Sequence, residues 1–272
     1  RCDQDRISST VSSLEVEQDD DSVGSACEMD FVGHTDAVCY ILPYKGKLFS
    51  ASADKTVKAF DLRTGRCVKT FQGHDLAVNC LQISGFGSKT DRLFTGANDQ
   101  SVRAYNIKSG ACTHKFSFRG RVMCLHVAFG KLFVGLSSGF VAVIDLKTNE
   151  CIDQFNCHEP SRISCLASAT EGQRLLLCTG SFDSTITIRD QSTGLLLRHI
   201  KDHKLTVLCM NVVENILYSG SADTVVQSHN INTGELVRSY TGHTMSVSGL
   251  QALGGVLVTS SLDRIIRCFD IK

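Results

Sequence analysis

The sequence predicts an all-β chain made of six repeats of a four-stranded sheet, and three observations predict it. First, a polar signature recurs. Gly33-His34, Gly73-His74, Cys157-His158, Asp202-His203 and Gly242-His243 open units that close on Phe60-Asp61, Tyr105-Asn106, Arg189-Asp190, His229-Asn230 and Phe269-Asp270. Second, a further unit closes on Ile144-Asp145, and the six closing residues succeed one another at intervals of 45, 39, 45, 40 and 40 residues. That spacing is the period of a four-stranded repeat. Third, Val57/Ala59, Val102/Ala104, Val141/Val143, Ile186/Ile188 and Ile266/Cys268 alternate with more polar neighbours ahead of the closing pair, the period-two pattern of a half-buried strand.

Each element of the unit has its own signal. After the closing residue, Thr64-Gly65, Ser109-Gly110, Thr148-Asn149, Thr193-Gly194 and Thr233-Gly234 suit a tight reversal into a last strand, because Gly and Asn tolerate the left-handed backbone that such turns require. That last strand ends on Phe71, Phe116, Phe155, Ile200 and Tyr240, and four of these five stand three residues before the next His.

Composition narrows the class. The chain has 272 residues, 42% of them hydrophobic, and its 28 basic and 28 acidic side chains cancel, so wholesale disorder is excluded. No run approaches the roughly 18 apolar residues of a membrane span, and the first residues lack a signal-peptide pattern. The chain is therefore read as intracellular, without a membrane partner. Residues 1–23 differ in kind: seven acidic residues against two basic ones give them a net charge of −5, and they read as an acidic disordered linker. The remaining 24–272 carries a mild excess of +5.

Thirteen cysteines are an odd number, and eight of them fall on two repeated positions: Cys80, Cys124, Cys165 and Cys209 on one, Cys27, Cys67, Cys112 and Cys151 on the other. Equivalent positions of successive sheets are too far apart for general pairing, so free thiols packed as small hydrophobes are expected. No Cys-x-x-Cys pair is present, and no zinc or other metal is expected. Gly85-Phe86-Gly87-Ser88-Lys89-Thr90 imitates a phosphate-binding loop, but Ser88 stands where glycine belongs before the lysine and no helix follows; a hairpin connection is the reading.

Over residues 24–272 these registers resemble the WD40-repeat family, whose fold is a β-propeller of radial sheets, or blades, around a channel. The naming tryptophan is absent. Phe60, Tyr105, Ile144, Arg189, His229 and Phe269 stand in its place. Six four-stranded blades are expected, with seven as the alternative. Cys27–Phe31 reads as an outer strand with no blade before it, and it is expected to complete the last blade and close the ring without a free sheet edge.

The resemblance implies a structural network in five of the six blades. His34, Ser50 and Asp54 form the first set; His74, Thr95 and Asp99, His158, Thr179 and Asp183, His203, Ser219 and Asp223, and His243, Thr259 and Asp263 form the others. His, Asp and Ser also spell a hydrolase triad, but a catalytic set does not recur in five blades with Ser and Thr interchanged. The third unit loses all three members together: Arg119, Val134 and Ser138 occupy the places of His, Ser/Thr and Asp. Joint loss is what a buried network predicts, since each orphaned polar group costs about 1–3 kcal/mol. No enzyme, no cofactor and no small-molecule substrate are therefore expected.

Function is expected on one rim. The resemblance places partner contacts at Ala37/Cys39, Ala77/Asn79, Arg121/Met123, Arg162/Ser164, Thr206/Leu208 and Ser246/Ser248, and at Ala53, Asn98, Ser137, Phe182, Ala222 and Leu262. Arg121, Met123, Arg162, Phe182 and Leu208 stand out as two guanidinium groups among apolar anchors, suited to an acidic or phosphorylated protein or peptide. The alternative partner is RNA. The tryptophan-free repeats also resemble the last domain of a large nuclear zinc-finger protein, which implies nuclear location and RNA-associated work, with zinc ligands outside this chain. Lys/Arg clusters and aromatic stacking platforms are lacking, which favours a protein-interaction scaffold.

Overall fold

Every repeat folds as an antiparallel meander. The computed structural model describes residues 29–85 and 91–271, and from Phe31 onward they belong to one compact unit. The first blade holds β1 (Val38–Tyr44), β2 (Lys47–Ser52), β3 (Val57–Asp61) and β4 (Cys67–Phe71); the second holds β5 (Val78–Ser84), β6 (Arg92–Ala97), β7 (Ser101–Asn106) and β8 (Cys112–Ser117). In the third are β9 (Val122–Ala128), β10 (Lys131–Leu136), β11 (Phe140–Asp145) and β12 (Glu150–Asn156), and in the fourth β13 (Ile163–Glu171), β14 (Arg174–Ser181), β15 (Ile186–Asp190) and β16 (Leu196–Ile200). The fifth has β17 (Val207–Val213), β18 (Ile216–Ser221), β19 (Val226–Asn230) and β20 (Leu236–Tyr240); the sixth has β21 (Val247–Leu253), β22 (Val256–Ser261) and β23 (Ile266–Asp270). The six-bladed all-β propeller is thus as the sequence predicts, and no helix is present among the described residues.

The closing Asp or Asn earns its recurrence in the last turn of each blade. Asp61 Oδ1 accepts the amides of Arg63 and Thr64, at 2.9 and 3.0 Å, and Asp190 Oδ1 accepts those of Ser192 and Thr193. The residue four places on must then be left-handed. It is Gly65 (φ 68), Gly110 (φ 81), Asn149 (φ 60), Gly194 (φ 71) and Gly234 (φ 80), the residue types for which that region costs least.

The seams between blades are filled by one repeated contact. Val122, Ile163, Val207 and Val247, each fully buried at the start of a first strand, lie over Gly96, Gly135, Gly180 and Gly220 of the preceding blade, where an added Cβ would meet them at 2.3–2.9 Å. Opposite the same glycines sit Cys80, Cys124, Cys165 and Cys209 of the blade's own first strand, whose Sγ atoms an added Cβ would meet at 2.5–2.8 Å. Glycine leaves room for a thiol and a β-branched side chain at once.

Two expectations about the ends stand differently. Of the closing strand expected at Cys27–Phe31, Cys27 and Glu28 lie outside the described residues and Met29, Asp30 and Phe31 form no strand; the acidic segment 1–23 and the phosphate-loop imitation from Phe86 to Thr90 lie outside them too, and the sixth blade shows three strands among the described residues. Ring closure is not reproduced there. Val38 of β1 is 51% exposed, whereas its five counterparts Val78, Val122, Ile163, Val207 and Val247 are fully buried.

Candidate functional site

The recurring histidines and carboxylates meet inside their own blades. Nδ1 of His34, His74, His158, His203 and His243 lies 2.6, 2.8, 2.9, 2.9 and 2.7 Å from Oδ2 of Asp54, Asp99, Asp183, Asp223 and Asp263. Nε2 of the same rings lies 2.7–2.9 Å from the hydroxyls of Ser50, Thr95, Thr179, Ser219 and Thr259. With the carboxylate ionised, Nδ1–H donates to it and Nε2 accepts from the hydroxyl, so the imidazole is held neutral in one tautomer.

Electrostatics agree with that assignment. Burial pulls the Asp99 carboxyl upward, but hydrogen bonds from Ser101, His74 and the Asp75 amide outweigh it and bring it down to about 2. Burial holds His74 and His158 below the usual imidazole range, against the pull of their carboxylates. Each hydroxyl, ring and carboxylate is spent on another protein group.

One network member escapes the sequence reading. Thr56, Ser101 and Thr185, two residues after the Asp, donate from their hydroxyls to its Oδ1 at 2.6, 2.7 and 2.8 Å. Val225 and Ile265 occupy the same place in the fifth and sixth blades, so no pattern runs through all five. The amide two residues on also binds Oδ1, and the residue between is left-handed and not glycine: Lys55, Gln100, Ser184, Thr224 and Arg264. In the third blade, where Ser138 replaces the Asp, this residue is Gly139 (φ 87). Without a carboxylate to pin the turn, the residue with the lowest left-handed cost takes over. Val134 is buried there, Arg119 points to solvent, and Ser138 Oγ is buried without a hydrogen-bond partner.

The tryptophan place is filled by several chemistries. Tyr105 donates its hydroxyl to the Gln72 carbonyl at 2.9 Å, and Arg189 donates to the Gly194 carbonyl at 2.9 Å. His229, fully buried, lies 2.9 Å from the carboxylate of Asp202, which itself replaces the glycine of the Gly-His pair.

The rim positions share one backbone geometry. In all six blades the amide before the tetrad carboxylate, or its Ser138 counterpart, donates to the carbonyl ahead of the first strand: Ala53 to Ala37, Asn98 to Ala77, Ser137 to Arg121, Phe182 to Arg162, Ala222 to Thr206 and Leu262 to Ser246, at 2.8–3.0 Å. The next residue but one is bulged out of its strand pairing, which re-aims its side chain. Where that residue is polar it can clip the neighbouring blade, as Asn79 does to the Val122 carbonyl at 2.8 Å and Ser164 to that of Val207. Met123 and Leu208 cannot do this. They line the mouth of a central cavity of about 700 Å³. Beside them the Arg162 guanidinium stands 5.7 Å from the ring of Phe182, which is 44% exposed, and Arg121 is exposed one blade away.

The cavity is chemically quiet. His126 on its wall is 2.9 Å from Ser168 Oγ, and burial pushes its pKa down to about 4. Burial likewise pushes the Cys165 thiol up to about 12 and Cys80, Cys124 and Cys209 upward too, so these thiols stay protonated and unreactive. All eleven described cysteines are free, and no group of His, Cys, Asp and Glu among the described residues is arranged to hold a metal ion.

The depressed histidines set a pH dependence. A group that is neutral in the fold but titrates near 6.5 when unfolded stabilises fully above that pH. The stabilisation is lost as pH falls, because only the unfolded chain takes up the proton. His126 alone should account for up to about 3 kcal/mol by pH 4. The melting temperature should therefore fall between pH 7 and pH 5, and His126→Gln should flatten that fall; a flat profile for the unmodified chain would contradict the buried assignment.

The fold and its internal networks define a repeat β-propeller. The chain belongs to the WD40 family: the family model "WD domain, G-beta repeat" matches residues 25–61, 65–106, 149–190 and 234–270, more than half of its length. The unmatched stretches hold the third blade, without its network, and the fifth, with His229 in the aromatic place. Relatives align over single segments. Nuclear distribution protein PAC1 of Candida glabrata is 43% identical over 58 residues, 21% of this chain and 12% of that protein. Mitochondrial division protein 1 of Aspergillus clavatus is 45% identical over 53 residues, 18% and 8% of the two chains, and F-box/WD repeat-containing protein A of Dictyostelium discoideum is 46% identical over 44 residues, 16% and 4%. The matched segments thus span about a tenth or less of these relatives' lengths. The fold superposes on the computationally designed Ika8 protein with a TM-score of 0.76 at 24% identity, over 89% of this chain and 73% of that one.

Proposed function

We propose that this propeller is a non-catalytic scaffold that captures an acidic or phosphorylated segment of a partner protein on the rim formed by Arg121, Met123, Arg162, Phe182 and Leu208. The observation that carries the reading is the apolar pair Met123 and Leu208 at bulge positions where Asn79 and Ser164 bind the neighbouring blade. An apolar residue there gives up a structural hydrogen bond and leaves contact surface at the cavity mouth. Arg162 over the exposed Phe182 ring adds a planar donor fork on an aromatic platform, which suits bidentate pairing with carboxylate or phosphate.

The test is fluorescence anisotropy with acidic and phosphoserine peptide pools, each carrying an apolar residue. Arg121→Glu with Arg162→Glu should weaken capture by about 10–100-fold, since hydrogen bonds to charged groups are worth about 1.5–3 kcal/mol. The melting temperature should hold, because both side chains lie in solvent. Undiminished capture by the folded double variant would remove the rim from the reading. RNA as the ligand would instead show in capture from lysate that is lost on nuclease treatment, with affinity falling steeply with salt.

A further inference from the structure

We propose that the end of the propeller opposite the tetrads lies against an anionic lipid surface through its first three blades. Each blade is an antiparallel meander, so the turns after its first and third strands share the end away from the tetrad and from the rim of Arg121 and Arg162. Contacts between neighbouring blades join these turns into one face. Lys45 pairs with Asp91 at 2.7 Å, Lys69 donates to the Ile107 carbonyl at 3.3 Å, and Arg92 donates to the Leu146 carbonyl at 2.5 Å.

The first observation is unpaired positive charge. Two places beyond the closing Asp or Asn stand Arg63, Lys108 and Lys147 in the first three blades, where the fourth and fifth have Ser192 and Asn232; Lys272, in the sixth, lies outside the described residues. Arg66 and Lys131 add to them. None of these five side chains makes a hydrogen bond or an ion pair with a described residue. The cations that reach this end from the later blades are spent internally: Arg174 on Glu171 and Asp190, at 3.2 and 3.4 Å, Arg198 on Glu171, and Arg238 on the Asp270 carbonyl. The carboxylates of Asp61 and Asp145, in the same turns as the unpaired cations, each accept two backbone amides.

The second is a pair of apolar tips. Leu62, next to Arg63, and Phe129, two places before Lys131, are 39% and 37% exposed. Phe129 also takes a left-handed backbone (φ 53), at the turn place that holds Lys45, Gly172, Glu214 and Gly254 in other blades. A bulky side chain bears a cost in that region, and a ring partly left in water offsets little of it.

Single cations on separate turns suit a plane of mobile headgroups, where each finds its own counter-charge while the two tips enter the boundary with the acyl chains. A nucleic-acid strand instead needs a continuous basic groove with stacking rings, and Leu62 has nothing to offer a base. The expectation of no membrane partner rests on the lack of an apolar span, which bears on crossing a bilayer and not on lying against one.

The experiment is co-sedimentation with phosphatidylcholine vesicles, with and without phosphatidylserine. The chain should bind only the anionic vesicles and leave them as salt is raised. A Lys or Arg near such a surface is worth about fivefold in binding, so Arg63→Ser/Lys108→Ser/Lys147→Ser should weaken it roughly hundredfold at an unchanged melting temperature. Phe129→Asn, which keeps a residue suited to the left-handed turn, should weaken it at least about threefold. Lys55→Asn/Lys201→Ser/Lys204→Ser removes the same charge from exposed positions at the tetrad end. That end is a strand length of roughly 17–20 Å away, beyond the Debye length of about 10 Å, so binding should stay within about twofold. The proposal is overturned if the anionic vesicles capture no protein or if the two triple variants lose binding equally. It is equally overturned if a single-stranded oligouridylate binds more tightly than the vesicles and the turn variant loses that binding.

Discussion

Asp99→Ala lowers the melting temperature by roughly 4–20 °C, at about 2–4 °C per kcal/mol for a domain of this size. The carboxylate accepts from the His74 ring, the Ser101 hydroxyl and the Asp75 and Ser101 amides. Removing it leaves the ring Nδ1 and the Ser101 hydroxyl only their long mutual contact of 3.4 Å, in a site where the His74 side chain is 2% exposed, and each buried group that loses its partner costs about 1–3 kcal/mol. The Ser101 amide loses the bond that pins left-handed Gln100 (φ 64), which adds backbone strain. His74→Ala on its own instead takes one of its donors from the carboxylate and the short bond to Nε2 from the Thr95 hydroxyl. The two losses overlap, so the double variant His74→Ala/Asp99→Ala should be about 0.5–3 kcal/mol more stable than the sum of the singles predicts. Denaturant melts of the four proteins measure this directly. Strict additivity would mean that the groups do not act as one network, and the third blade, which lacks all of them, would then need another explanation.

How far the sequence speaks depends on whether a feature is written within one blade or between two. His34, Ser50 and Asp54 lie at fixed offsets in one chain segment, so the networks and the closing Asp turns are legible by counting. Thr56, Ser101 and Thr185 belong to the same networks, yet Val225 and Ile265 break the pattern, because a buried carboxylate with enough other donors does not need that hydroxyl. The cysteine recurrence at 80, 124, 165 and 209 is visible, but its cause is not. The thiol is set opposite a glycine of the neighbouring strand and beneath a valine or isoleucine of the next blade, a three-body contact with no spacing rule. Exposure at the seam is illegible for a related reason: Val38 is as apolar as Val78, and only the arrangement of whole sheets decides which of them is covered. The rim is intermediate. Its positions could be counted, whereas the distinction between Asn79, which holds the next blade, and Met123, which faces the cavity, required coordinates.

That three-body contact carries the second large effect. Gly180 takes an extended backbone that alanine can also adopt, so the cost of Gly180→Ala is steric alone. The new methyl would lie 2.7 Å from Cys165 Sγ and 2.9 Å from Val207 Cγ1; Val207 is fully buried, and Cys165 lines the central cavity. Overpacking of this kind costs about 1–3 kcal/mol, a fall of roughly 2–12 °C in melting temperature at about 2–4 °C per kcal/mol. The sixth blade shows how the strain is relieved, for there the sizes are exchanged: Gly249 faces Ser260, and a Cβ on Gly249 would stand 2.9 Å from the serine oxygen. Adding Cys165→Gly to Gly180→Ala should accordingly recover about half of the loss, while Cys165→Gly alone destabilises by leaving a void. The remainder belongs to Val207, which no change within the fourth blade can move. If thermal melts show the double variant no better than Gly180→Ala, the thiol has room to turn aside, and the valine of the fifth blade alone accounts for the glycine.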